Sequence, residues 1–125
     1  MSKITYTVTV ENGNKAWYLN GKLHREDGPA IDEFNGNKFW YINDKLHRED
    51  GPAVEEFNGN KFWYINGKLH REDGPALEYS NGDKYWYLNG EEYTESEFKA
   101  NTQPPKDLTV AELEDLLGYK IKIIK

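Results

Sequence analysis

The sequence predicts a mainly β fold: an elongated antiparallel β-meander of repeated hairpins, ended by a small C-terminal α/β cap. Three observations predict it. The chain repeats itself with a period of 23 residues, and fixed-period self-similarity sets architecture before any local propensity does. Each repeat contains two Asn-Gly-type pairs, dipeptides that tolerate positive φ at both centres of a tight hairpin turn. The composition is polar yet aromatic, 30% charged with four Trp and nine Tyr, whereas disordered chains are poor in aromatics. At 125 residues the chain makes one small domain with a modest core.

Residues 3–11 alternate strictly. Ile4, Tyr6, Val8 and Val10 face one way, and Thr5, Thr7, Thr9 and Glu11 the other, which is the period of a half-buried strand. Asn12-Gly13 then opens the first repeat. The full repeats span 12–34, 35–57 and 58–80, and a partial fourth spans 81–90. In each, an aromatic strand follows the first turn, at 15–20, 38–43, 61–66 and 84–89, and places Trp17, Trp40, Trp63 and Trp86 at equivalent positions. A second turn follows: Asn20-Gly21, Asn43-Asp44, Asn66-Gly67 and Asn89-Gly90. In the full repeats a limb reading Lys-Leu-His-Arg-Glu-Asp-Gly-Pro-Ala then leads into a short strand such as 53–57. Asp-Gly-Pro is expected to bend that limb, with Gly relaxing φ and Pro withdrawing a ladder donor.

The run Trp-x-x-Asn-Gly-Lys-x-His, a Gly-containing limb, an apolar and aromatic strand and a second Asn-Gly, all at a 23-residue period, resembles a MORN repeat. It is closest in form to the divergent MORN-like variants of bacterial and bacteriophage proteins. The resemblance covers roughly residues 12–90. It departs from the usual motif in having Arg-Glu-Asp-Gly-Pro-Ala in place of a second glycine-rich step. It implies the hairpin architecture. For function it implies an interaction or scaffold role, including that of a phage accessory protein that binds or inhibits a host defence or nuclease protein. A repeat family is defined by shape, so that functional expectation is an analogy.

After Gly90 the pattern changes, dividing the chain into 1–90 and 91–125. Thr94 with Glu97 forms a capping box, and Tyr93 with Phe98 has the spacing of a hydrophobic staple, so a helix is expected near 95–100. Residues 101–107, with Pro104-Pro105, read as a stiff connector. Thr109 with Glu112 is a second capping box, with Leu108 and Leu113 as its staple, and starts a helix over 110–117 that Gly118 ends. Residues 119–125 alternate again and read as a last strand. The 3–11 strand and the tail would close the two ends of the array.

Composition removes several function classes. The net charge is −6, and much of the excess falls in 91–117, where eight acidic residues face two basic ones. Direct nucleic-acid binding is therefore not expected, because it rests on Lys and Arg against phosphate. The chain has no Cys, which excludes disulfides and thiolate metal sites and fits a reducing, cytoplasmic compartment. That compartment would be the bacterial host's if the chain is phage-encoded. Neither a signal peptide nor a membrane-spanning run is expected.

His24, His47 and His70 recur with Arg, Glu and Asp behind them. Equivalent residues two strands apart are roughly 9–10 Å from each other, too far to share one ion, so no metal or cofactor is expected. The structural expectation is that His and Arg bond to neighbouring turns or to the next repeat's carboxylates, such as Asp27, Asp50 and Asp73. Identical polar residues in every repeat also argue against an enzyme, since acid, base and nucleophile need unlike environments.

The stronger candidate is the aromatic ladder of Trp17, Trp40, Trp63 and Trp86 with Tyr41 and Tyr64. It either packs between hairpins or forms an open groove for a protein partner or a second copy of the chain. A competing reading is a small-ligand or nucleotide binder using that ladder with Arg25, Arg48 and Arg71. The acidic tail has two readings as well. Glu95, Glu97 and Glu112 sit where helix dipoles favour them, or they imitate phosphates and occupy a basic partner.

Overall fold

In the computed structural model, residues 4–103 and 109–118 are described. Of the expected connector at 101–107, residues 101 and 102 are instead helical and 104–107 lie outside the described residues, as do Leu108 of the Leu108–Leu113 staple and the final strand at 119–125. The mainly β architecture is as expected: antiparallel hairpins in sequence order, followed by two short helices.

Strand β1 (Tyr6–Glu11) pairs with β2 (Asn14–Leu19) across Asn12-Gly13. Asn12 at φ 52° and Gly13 at φ 81° make this a two-residue turn with both centres left-handed. The first repeat continues with β3 (Lys22–Leu23) and β4 (Ile31–Asp32). The second contains β5 (Lys38–Phe39), β6 (Tyr41–Ile42), β7 (Lys45–Leu46) and β8 (Val54–Glu55). The third contains β9 (Lys61–Phe62), β10 (Tyr64–Ile65), β11 (Lys68–Leu69) and β12 (Leu77–Glu78). Strands β13 (Lys84–Leu88) and β14 (Glu91–Tyr93) close the sheet before helices α1 (Glu95–Thr102) and α2 (Val110–Leu117).

These strands form two rows. The long row runs β1-β2-β4-β5-β8-β9-β12-β13-β14, with β3 beside β2. The second row consists of small hairpins, β6 with β7 and β10 with β11. The aromatic strand is thus continuous in the first repeat but broken at Trp40 and Trp63 in the next two. The break costs no hydrogen bond. Trp40 N–H donates to the Ala53 carbonyl at 2.8 Å, and its own carbonyl accepts from His47 N–H at 3.0 Å. Trp63 repeats this with Ala76 and His70.

The same dipeptide makes two different turns. Between repeats, Glu33 N–H donates to Asn37 O and Gly36 N–H to Glu33 O, each at 2.9 Å. Only Gly36 of the Asn35-Gly36 pair has positive φ, at 102°. This is a three-residue loop with glycine in the bulge position, and Asn35 Oδ1 accepts from Asn37 N–H inside it. The extra loop residue changes the register. Ile31 pairs with Phe39 and Asp32 with Lys38, whereas β1 meets β2 with Val10 opposite Lys15 and Thr9 opposite Ala16. Relative to the repeat, β1 is slipped by one residue, which turns its side chains over.

The core is correspondingly thin. Ala30, Ala53 and Ala76 are completely enclosed and Val54, Phe98 and His24 nearly so, with no large side chain fully buried among the described residues. Cohesion comes largely from repeat-to-repeat hydrogen bonds. Each His Nδ1 accepts from the turn of the following repeat: Asn43 N–H at 3.1 Å, Asn66 N–H at 3.0 Å and Asn89 N–H at 3.0 Å. Arg25, Arg48 and Arg71 each donate their backbone N–H to Tyr41, Tyr64 and Tyr87 of the next repeat. In the second turn Asp44 replaces the usual glycine at φ 67°, and its carboxylate accepts Leu23 N–H from the preceding hairpin at 2.6 Å.

Candidate interaction surfaces

Register sorts the long row into two chemically opposite faces, because directly paired residues share a face. On one face run Lys15, Asp32, Lys38, Glu55, Lys61, Glu78 and Lys84, alternating in charge at every step. On the other run Ala16, Ile31, Phe39, Val54, Phe62, Leu77 and Tyr85, apolar throughout.

The charged face carries the tryptophans and arginines. Arg25, Arg48 and Arg71 lie 3.9, 4.0 and 3.9 Å above the Trp17, Trp40 and Trp63 rings, a stacking that suits the planar guanidinium. Each Nε donates to an aspartate of its own repeat: Arg25 to Asp27 at 2.8 Å, Arg48 to Asp50 at 2.9 Å and Arg71 to Asp73 at 2.8 Å. These guanidiniums hold all three carboxyls below the usual aspartate value of 3.8, chiefly through that hydrogen bond. Each Nη1 donates to the carbonyl of Pro29, Pro52 or Pro75. The histidines reach the next repeat's turn as expected, but the arginine side chains bond within their own repeat rather than to the next one's carboxylates. Two residues of separation puts the aspartate within reach of the folded-back side chain.

That arrangement also corrects the expected role of glycine in Asp-Gly-Pro. Gly28, Gly51 and Gly74 do not have positive φ, and a Cβ on any of them would stand 2.9 Å from the arginine Cζ. Glycine here leaves room for the guanidinium, which is held between the indole and the main chain. Sequence reasoning singled out Trp17, Trp40, Trp63, Arg25, Arg48 and Arg71, and the structure brings them together in pairs. Successive limbs leave open grooves on this face, one of about 750 Å³ lined by Arg48, Asp50, Trp63, His70, Arg71 and Asp73 among others. Within them the Nε and Nη1 donors of the arginines are already engaged, and each His Nδ1 is occupied by a backbone N–H.

Trp86 has no arginine counterpart, since the fourth repeat lacks the limb. Here α1 packs on β13 and β14 and buries Phe98. Asn101 and Thr102 of α1 border a cavity with His70, Glu72 and Leu88, which places the helix on the charged face where a fourth limb would lie. Helix α1 runs two residues beyond the expected end, and α2 has the expected bounds. Glu97 accepts Thr94 N–H at 2.9 Å and Thr94 Oγ1 accepts Glu97 N–H at 3.1 Å. The backbone bond lowers the Glu97 pKa. Glu112 caps α2 through Thr109 in the same way, and Glu95 lies 3.9 Å from Lys99.

The opposite face carries the tyrosines. Tyr18 shares a strand face with Ala16 and Tyr87 with Tyr85, and Tyr41 and Tyr64 hold the equivalent positions. Burial, then Tyr79, Tyr41 and Tyr87 nearby, push the Tyr64 phenol above its usual value of 10. Tyr79 meets Phe62 and Tyr85 edge-on at ring separations of 5.4 and 5.9 Å. Sequence reasoning named Phe39, Tyr41 and Tyr64 but not Phe62, Tyr79 or Tyr85; period-two alternation within 61–66 would have grouped Phe62 with Tyr64.

No family model, curated protein or solved structure matches the chain.

Proposed function

We propose that the chain is a non-enzymatic protein-interaction module whose aromatic sheet face docks a partner protein. One observation carries this reading. The apolar row from Ala16 to Tyr85, with Tyr18, Tyr41, Tyr64 and Tyr87 beside it, spans every repeat, and the helix packed on the sheet, α1, lies on the other side. Tyr79 and Tyr85 remain 36% and 40% exposed. Large aromatics with hydroxyl tips fit an interface that is apolar in the middle and hydrogen-bonded at its edge. The partner would present aliphatic side chains and a few groups that bond phenols. The resemblance to MORN-type repeats supports the reading from shape alone. On the charged face the Nε and Nη1 donors of the arginines are engaged internally, which favours docking at the tyrosines over a small anionic ligand at Arg25, Arg48 and Arg71.

The test is capture from a bacterial lysate by the intact chain and by a Tyr41→Ala/Tyr64→Ala variant with an unchanged circular dichroism spectrum. A partner held by the parent in high salt and lost by the variant supports the reading, because apolar docking survives screening. Equal capture by both, or capture that disappears in salt, overturns it.

A further inference from the structure

The two ends of the sheet are finished differently. At the far end β14 is three residues long, begins with Glu91 and Glu92, and leads straight into α1. At the near end β1 is six residues long and, among the described residues, has one strand neighbour, β2. Natural sheets protect such edges with Lys, Pro, bulges or short strands. The stretch Tyr-Thr-Val-Thr-Val-Glu has none of these, and residues 4–10 carry no charge.

Backbone parity shows what the edge offers. Asn20 N–H donates to Thr5 O at 2.8 Å, so Thr5, Thr7, Thr9 and Glu11 exchange hydrogen bonds with β2. Tyr6, Val8 and Val10 therefore point their N–H and C=O groups outward. The one-residue slip of β1 places their side chains on the Trp17 side of the sheet, where Tyr6 borders the groove with Trp17 and Arg25. They stay open: Ile4 is 67%, Tyr6 64%, Val8 50% and Val10 64% exposed.

We propose that two copies of the chain associate through β1, each first strand pairing antiparallel with the other about a two-fold axis at Val8. The occupant follows from self-complementarity. With Val8 opposite Val8 of the second copy, Tyr6 meets Val10 and Val10 meets Tyr6, so every outward backbone group finds a partner in about six new hydrogen bonds. The apolar side chains of both strands then pair on one face and Thr7 meets Thr9 on the other. No like charges are brought together, because this stretch has none. A second copy supplies the same uncharged, in-register edge. This association is independent of the tyrosine face and holds whether or not that face docks a partner.

Sedimentation equilibrium of the intact chain, run over a concentration series, tests it. The expected result is twice the chain mass at high concentration. In Val8→Pro the ring removes an N–H that points outward, so the β1–β2 ladder is kept while the dimer is broken. Val8→Lys places a charge at the axis and leaves the backbone unchanged. Each variant should weaken association by at least about tenfold with an unchanged circular dichroism spectrum. The chain has no cysteine, so Val8→Cys offers an independent readout. Facing Cα atoms in such a pair are about 5.5 Å apart, within disulfide range, and oxidation should give a covalent dimer where Lys22→Cys does not. A monomer at every concentration overturns the proposal. So does a dimer that both Val8→Pro and Val8→Lys leave intact.

Discussion

The two faces of the sheet are built from the same strands, yet they stand in opposite relations to solvent. On the charged face the arginines, the histidine Nδ1 atoms and Lys38 are answered by other groups of the same array: arginine by indole, aspartate and proline carbonyl, histidine Nδ1 by the next turn, Lys38 by Asp32 across the strand. On the tyrosine face the rings meet one another, as Tyr79 meets Phe62 and Tyr85, and at the end of the sheet Tyr87 meets Glu92. The difference teaches where a substitution should be felt. On the charged face it should cost folding; on the tyrosine face it should cost binding more than folding.

The sharpest way to break that contrast is Gly51→Val. Its Cβ would stand 2.9 Å from Arg48 Cζ, and expelling the guanidinium should lower unfolding stability by about 2–3 kcal/mol, measured by urea denaturation. Arg48→Ala should cost somewhat less, about 1.5–2.5 kcal/mol, since it removes the stack and two hydrogen bonds without introducing a clash. A tyrosine-face change tests the other half. Tyr64→Ala should cost about 1–2 kcal/mol, and with Tyr41→Ala it should abolish partner capture while the fold survives.

Acid tests the aspartates. Their folded pKa values are depressed by Arg25, Arg48 and Arg71, so they contribute stability above the unfolded value of 3.8 that is lost as pH falls through the lowered folded values. The urea midpoint should therefore decline below about pH 4, and Asp50→Asn should flatten the decline. The smallest effect is expected at Phe57→Ser. Phe57 is 71% exposed, and the change in stability should stay within about 0.5 kcal/mol.

Much of this fold was legible in the sequence because local chemistry dictates it. Both centres of Asn20-Gly21 and of Asn66-Gly67 have the positive φ that the dipeptide invites, and the capping boxes at Thr94 and Thr109 start helices where they should. What escaped is what depends on distance rather than neighbours. Asn12-Gly13 and Asn35-Gly36 are the same letters, yet one is a two-residue turn and the other part of a three-residue loop. The closing bond between Glu33 and Asn37 decides which, and no dipeptide encodes it. Likewise Trp17 and Arg25 were both picked out, but their contact requires the limb to fold back over its own hairpin. The space that glycine leaves in Asp-Gly-Pro becomes visible only once that contact exists.

The histidine bond to the following turn has a consequence for the length of the protein. Each 23-residue unit hands its unmet valences to the next unit and to no other, so the middle of the array is made almost wholly of joints. Such a structure behaves as a one-dimensional lattice with nearest-neighbour coupling. Excising or duplicating residues 35–57 rejoins identical joints, with Phe34 leading into Asn58 as Phe57 did. Length is then a quantity that can change in whole steps without redesign of either end, and the stretch of tyrosine surface changes with it by one period at a time.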